Sequence, residues 1–342
     1  MIEFLREKKK SMEIHEEHRD HQSQHLPRVL VIKPPPPLTL FGDKFISRRF
    51  QLLKAYESSL SLEQFLISHA HSIEAILCSG DSPVTLDILR LLPKLRLVVT
   101  ASAGVNHIHM PECRRRGIAV ASAGSIFSDD AADAAVGLLI DVWRKVSSAD
   151  RFLRQGLWSK IGDYPLGSKL GGKRVGIVGL GNIGLQVAKR LQAFGCNVLY
   201  NSRSKKPVPY AFYSNVCELA ANSDALIICC ALTDQTRRMI NREVMLALGK
   251  EGIIVNVGRG AVIDENEMVR CLVRGEIAGA GLDVFENEPY VPKELLELDN
   301  VVLQPHRAVF TSESFVDLCE LAVGNLEALF SNQPLLSPVT AE

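Results

Sequence analysis

Residues 175–184 read VGIVGLGNIG, and the fold is decided by this stretch. Gly179, Gly181 and Gly184 form G-x-G-x-x-G between a β-rich run and an amphipathic helical pattern, the setting in which that motif is specific. Gly179 permits a tight turn, Gly181 lets the backbone approach a pyrophosphate with no Cβ in the way, and Gly184 lets the helix lie close on the strand. The helix N-terminus, with Asn182 and Ile183 in its first turn, then offers N–H groups and positive dipole to phosphate. Residues 167–173 also match G-x-x-x-x-G-K, but Arg174 stands where a Mg²⁺-ligating Ser or Thr belongs and the segment precedes its strand. It is not a Walker loop.

Outward from this turn, short β-branched runs alternate with helical patterns. Strands are expected at 174–178, 197–200, 225–229, 253–257, 281–284 and 301–303, with helices at 183–194, 241–248 and 265–274. Six strands with crossovers make a doubly wound parallel sheet of the Rossmann kind. Upstream, strands at 29–32, 75–78, 97–101 and 118–121 with helices at 62–69 and 86–92 make a smaller α/β unit. A helix over 130–155, apolar at Val136, Leu139, Ile140, Val142 and Trp143, is long enough to bridge the two. A last amphipathic helix over 312–330 has no strand after it and is expected to pack back on the first unit.

The end of the second strand of the larger unit bears on the nucleotide. An NAD site places a carboxylate there for the adenosine ribose, whereas this chain reads Tyr200, Asn201, Ser202, Arg203, Ser204, Lys205, Lys206. A 2′-phosphate would find Arg203, the hydroxyls of Ser202 and Ser204 and two lysines, so NADPH (NADP) is the expected cofactor.

Composition narrows the function classes. The 342 residues are 46% hydrophobic and 23% charged, ordinary for two globular domains. Lys plus Arg (39) equals Asp plus Glu (39), leaving no net field to attract nucleic acid. The longest apolar run, 225–232, is far short of the ~20 residues that cross a bilayer, so no membrane is expected. Eight cysteines, with no secretory signal, suit free thiols in a reducing compartment. The end Val339-Thr340-Ala341-Glu342 lacks an S-K-L address, so a cytoplasmic protein is expected. Residues 1–26 read as a solvated tail; His15, His18, His21 and His25 would share one face of a helix there, but nothing anchors one. The pairs His69 with His71 and His107 with His109 lack further ligands, so no metal site is expected.

Past the fourth, fifth and sixth strands of the larger unit come Asn256-Val257-Gly258-Arg259-Gly260, then Asp283 through Glu288, then Gln304-Pro305-His306. Ligands bind outside the carboxyl ends of parallel strands, so these turns are expected to converge beside the nicotinamide. Singly, each has a bland reading: a surface ion pair for Arg259, a solvated acid for Glu288, a structural imidazole for His306. Together they would put an Arg, an acid and a His in one cleft. An imidazole such as His306 suits proton donation near neutrality, a paired acid such as Glu288 favours its charged form, and Arg259 offers a planar fork to an anion.

With SAGVNHI at 102–108, GLGNIG, CALTDQT at 230–236, NVGRG, GLDVFENEP and PH at 305–306, the chain from about Val29 onward resembles the D-isomer-specific 2-hydroxyacid dehydrogenase family. Its NADP-using glyoxylate/hydroxypyruvate reductase branch looks most similar. The resemblance implies that Arg259, Glu288 and His306 are catalytic. It implies that Gly104 and Val105 offer N–H groups to the substrate carboxylate, and that Asp283 holds the nicotinamide carboxamide. Leu232, Thr233, Thr236, Val257 and Gly258 would line the cofactor, and the turn with Ser79 would wall the substrate. It further implies a flavodoxin-like substrate domain made of 27–124 and 307–342, a dinucleotide domain over 125–306, a cleft between them, and a homodimer through the coenzyme domain. One departure is that Arg307 and Ala308 follow His306, where the family usually has an apolar residue and glycine. Ala308 would add a methyl where backbone approaches the nicotinamide, and Arg307 a charge near the cleft. The expected function is NADPH-dependent reduction of glyoxylate or hydroxypyruvate. Alternatives are reduction of aryl pyruvates such as hydroxyphenylpyruvate and, from another class, a nucleotide-sensing corepressor-like binding protein.

Overall fold

A computed structural model describes residues 26–41 and 43–339. The four tail histidines and residues 340–342 lie outside them. The chain divides into two compact units, one running to Ile126 and resuming at Thr311, the other Phe127–Phe310.

The first unit is a five-stranded parallel sheet of β1 (Arg28–Val31), β2 (Gln51–Lys54), β3 (Ala75–Cys78), β4 (Leu97–Thr100) and β5 (Ala119–Ala121), in the order β2-β1-β3-β4-β5. β3 and β4 are buried throughout, which is why they read as unbroken apolar runs. Strand β2 is not legible in the sequence pattern. It is a short edge strand buried only at Leu53, and its mixed residues carry no alternation. Helices Leu62–His69 and Leu86–Leu91 start where Ser61 and Thr85 accept backbone N–H groups. Helix Ser312–Phe330 belongs to this unit, its Ala322, Val323 and Leu326 packing in one core with Val29, Val31, Leu97 and Val99. Its fully buried Asn325 accepts from the Leu336 and Ser337 amides and so ties down the segment that follows.

The second unit holds seven parallel strands: β6 (Arg174–Val178), β7 (Asn197–Asn201), β8 (Ala211–Phe212), β9 (Ala225–Ile228), β10 (Ile253–Asn256), β11 (Gly279–Leu282) and β12 (Val301–Leu303). Their order is β12-β11-β10-β9-β6-β7-β8, a doubly wound sheet whose direction of progression reverses between β6 and β9. The seventh strand is β8, two residues long and too short to show a pattern. The expected helix over 130–155 is two helices, Ser128–Arg144 and Val146–Arg154. Lys145 between them is left-handed (φ 57°), and the Asp141 carboxylate captures the Ser147 amide at 2.7 Å. A single-residue break leaves apolar periodicity nearly in phase, so the pattern hides it. Among the described residues no helix is long and apolar enough to cross a membrane.

Helix Asn182–Ala193 is seated on β6 through its third residue. A Cβ on Gly184 would lie 2.3 Å from the Gly179 carbonyl oxygen, whereas one on Gly181 would have nothing within 4 Å. Helix propensity favours alanine over glycine by about 1 kcal/mol, but a forced overlap with backbone outweighs it, so Gly184→Ala should lose about 1–3 kcal/mol of stability. Gly181→Ala should lose almost none. Urea unfolding of both variants measures the contrast.

Candidate active site

All seven strands of the second unit run parallel, so the turns at their carboxyl ends share one edge of the sheet. After β6, Gly179 takes φ +96°, and a Cβ there would stand 2.6 Å from the Cys230 backbone. Gly181 faces open space. The helix beginning at Asn182 has no side-chain cap and no acid in its first turn, leaving the first N–H groups, including those of Asn182 and Ile183, for an anion.

After β7, the side-chain amide of Asn201 donates to the Tyr213 and Ser214 carbonyls at 2.8 and 3.1 Å. Ser202 Oγ donates to the Ser204 carbonyl at 2.5 Å, and Arg203, Ser204, Lys205 and Lys206 are exposed. After β9, Thr236 Oγ1 donates to the Ala231 carbonyl and accepts from the Thr233 amide, closing the turn that carries Leu232.

After β10, Asn256 is fully buried and holds the arginine turn from inside. Its Oδ1 accepts from the Gly258 amide, and its Nδ2 donates to the Arg259 carbonyl, both at 3.0 Å. Val257 is buried and turns its side chain to the core. A Cβ on Gly260 would fall 1.9 Å from the Phe285 carbonyl carbon, so this turn lies directly against the next one. Arg259, half-buried, donates to the Gly258 carbonyl at 2.8 Å. Burial lowers its pKa from the guanidinium value while the nearby Glu288 charge opposes the shift. The side chain stays charged.

After β11, one Glu288 oxygen accepts the Phe285 amide at 3.0 Å and the other meets His306 Nδ1 at 2.7 Å. Burial pushes the Glu288 pKa up. The hydrogen bonds from His306 and Phe285, with the charges of His306 and Arg259, outweigh that and hold it below the ordinary carboxylate value. An ionised Glu288 only accepts, so Nδ1 of His306 carries hydrogen and Nε2 is left for exchange. Buried Glu265 accepts the Glu286 amide at 2.9 Å and supports the same turn.

His306 is left-handed (φ 52°), a conformation costing about 1–2 kcal/mol in a non-glycine residue. Asp283 enforces it: its carbonyl accepts the His306 amide at 2.8 Å, and its carboxylate accepts the amides of Arg307 (2.6 Å) and Ala308 (3.1 Å). The resemblance implies that Asp283 holds the nicotinamide carboxamide. In the structure the side chain, 1% exposed, also braces this backbone, and two amide donors leave part of the carboxylate's acceptor capacity unused. The two residues after His306 are placed by their neighbours. The Ala308 methyl is buried in the core beside helix Ser128–Arg144, and the Arg307 guanidinium lies over the Phe310 ring at 4.3 Å.

In the first unit, the loop after β4 carries Gly104 and Val105, whose amides donate to no protein acceptor among the described residues. Thr100 Oγ1 shapes this loop, meeting His107 Nε2 at 2.9 Å and accepting from the Ser102 amide at 3.3 Å. Ser79 is buried and donates to Asp81 at 2.5 Å, which leaves its oxygen as an acceptor. Asn256, Glu265 and Thr100 were missed by sequence analysis because each acts on backbone that only the fold brings near. All eight cysteines are free of disulfides, and burial pushes the Cys78 thiol to about 12 and Cys230 to about 11, far from nucleophilic. Among the described residues no cluster of His, Cys, Asp or Glu could hold a metal ion.

Residues 136–308 match the family model described as the D-isomer specific 2-hydroxyacid dehydrogenase, NAD binding domain. Over 315 residues the chain is 55% identical to a glyoxylate/hydroxypyruvate reductase of Arabidopsis thaliana, covering 92% of this chain and 97% of that one. It is 44% identical to a hydroxyphenylpyruvate reductase of Plectranthus scutellarioides, over 89% and 96% of the two. A crystal structure of an NADPH-dependent glyoxylate/hydroxypyruvate reductase from Sinorhizobium meliloti, in complex with NADP and malonate, superposes with a TM-score of 0.84 at 34% identity, over 92% of this chain and 97% of that one. The chain therefore belongs to the D-isomer specific 2-hydroxyacid dehydrogenase family and is an oxidoreductase similar to its glyoxylate/hydroxypyruvate reductases.

Proposed function

We propose that this enzyme reduces small 2-oxo acids, glyoxylate and hydroxypyruvate, with NADPH. The observation that carries the reading is the 2.7 Å His306–Glu288 pair on the sheet edge that also bears Arg259 and the glycine turn. The residues present fit the cofactor: open space at Gly181, an uncapped helix N-terminus free of acids, and Arg203 with two serines where an NAD site would have a carboxylate. The named relatives and the NADP-bound neighbour support both substrate class and cofactor.

When bound, the nicotinamide supplies the hydride that adds to the carbonyl carbon. Arg259 grips the 2-oxo-acid end and polarises the carbonyl, its half-buried charge acting in a medium poorer in water. His306 gives its Nε2 proton to the oxygen as negative charge develops there. Glu288, clamped by the Phe285 amide, fixes the ring's orientation and balances its positive form. Asp283 and Asn256 act through backbone, holding the His306 and Arg259 turns. On the first unit, the Gly104 and Val105 amides offer two donors to a carboxylate.

Val146, Leu153, Trp158, Ile161 and Leu166 are all exposed within residues 146–166, apolar side chains suited to burial against a second copy. A homodimer through this segment is the proposed assembly, and Trp158→Glu should shift the mass in light scattering from dimer to monomer. Eight free thiols suit the reducing cytoplasm.

His306→Ala should cut turnover by roughly 10²–10⁴ with little change in cofactor affinity. For the wild type, a proton-donor His306 should make reduction fall and hydroxy-acid oxidation improve as pH rises. Removing the counter-charge in Glu288→Gln should move the fall in reduction to lower pH. Because Glu288 is held below the usual carboxylate range, its contribution to folding is present at neutral pH and lost as pH falls through that lowered value. Unchanged turnover in His306→Ala removes His306 from the chemistry.

Substrate choice is read by comparing kcat/KM for glyoxylate, hydroxypyruvate and hydroxyphenylpyruvate with NADPH and with NADH. The 44% identity to a hydroxyphenylpyruvate reductase makes the aryl acid the serious competitor. The small acids and NADPH are expected to lead. An aryl preference above about tenfold, or ~1.4 kcal/mol of transition-state binding, overturns the small-acid reading.

A further inference from the structure

We propose that the buried hydroxyl of Tyr200 sets cofactor discrimination by fixing the backbone of the basic loop 202–206. The inference rests on the reading that this loop receives the 2′-phosphate, and it adds a positioning residue that does not itself reach the cofactor.

Tyr200, near the end of β7, is fully buried, with its ring packed at 5.4 Å on Phe212 of β8. Its hydroxyl accepts the Lys206 amide at 2.8 Å and donates back to the Lys206 carbonyl at 3.3 Å. A second donor, the Val208 amide, reaches the same carbonyl at 2.9 Å. At the other end of the loop, Ser202 Oγ closes on the Ser204 carbonyl. The β7–β8 connection is thus a short closed loop with no crossover helix, held at one end by Ser202 and at the other by a phenol reaching out of the core.

Such a tie matters because of what the loop carries. Arg203, Lys205 and Lys206 put three like charges within four residues, and all are exposed. They repel one another, and the first apolar anchor after them is Val208, packed against the core. An untied loop would have to be ordered each time a phosphate bound, and that cost is subtracted from affinity. The Tyr200 hydroxyl removes part of it beforehand. NADH has no 2′-phosphate and gains nothing from the loop's order, so the effect separates discrimination from general stability.

The test is a double-mutant cycle on the full chain with Tyr200→Phe, Arg203→Ala and both, measuring KM for NADPH and NADH and the melting temperature. Losing one hydrogen-bonding group should raise KM for NADPH about three- to tenfold in Tyr200→Phe, with KM for NADH within about twofold. On the Arg203→Ala background the same change should add less than about twofold, because the tie works through the placement of Arg203. Hydrogen exchange across 202–206 should quicken in Tyr200→Phe, a reading that needs only the folded protein. Equal effects of Tyr200→Phe on both cofactors, full additivity with Arg203→Ala, or unchanged exchange overturns the inference while leaving the 2′-phosphate reading intact. Equal effects of Arg203→Ala on both cofactors overturns that reading, and the inference with it.

Discussion

Seven strands running in one direction must all end at one edge, and every functional group of the larger unit follows from that constraint. What brings the turns at that edge close enough to work together is backbone packed on backbone. Gly184 lies against the Gly179 carbonyl, Gly258 against that of Cys230, and Gly260 against the Phe285 peptide, each at a distance no side chain tolerates. Glycine is required at these points by crowding, whereas at Gly181 the space is open and the requirement comes from whatever approaches it.

Within that frame, buried polar side chains shape the turns and leave exposed ones to meet ligands. Asn256 and Asp283 are buried almost completely, and their hydrogen bonds go to the amides and carbonyls of the segments carrying Arg259 and His306. Unsatisfied, such groups would be costly in the interior, so the turns are held in the one arrangement that satisfies them. The left-handed backbone of His306 persists because three successive amides, those of His306, Arg307 and Ala308, are received by one aspartate. Tyr200 repeats the device at the end of β7, where a core side chain fixes an exposed loop through its backbone.

The electrostatics are local. Glu288 sits between a backbone donor and two cationic side chains, which together outweigh the cost of burying it. The carboxylate therefore accepts from His306, and that one hydrogen bond decides which imidazole nitrogen carries hydrogen toward it. Arg307, a formal charge next to this pair, is drawn aside over Phe310.

The amino-acid sequence by itself determined the parallel α/β architecture, because buried parallel strands such as β3, β4, β9 and β10 are continuous apolar runs. The glycine fingerprint was legible too, and so was the approach of Arg259, Glu288 and His306 to one another, because parallel strands end at one edge. Helix Ser312–Phe330 and strands β6 and β12 were legible to the residue. The edge strands β2 and β8, the break at Lys145 and the orientation of Ala308 were not, for a common reason. A short edge strand and a one-residue break leave hardly any periodicity, and the direction of a methyl is set by its neighbours in space. Only the tertiary structure decided what Asn256, Asp283 and Tyr200 do. Each acts on backbone whose approach is created by folding, as when the β12 turn arrives 24 residues after Asp283 to be held by its carboxylate, and a residue's type says nothing of which peptide group will come within reach.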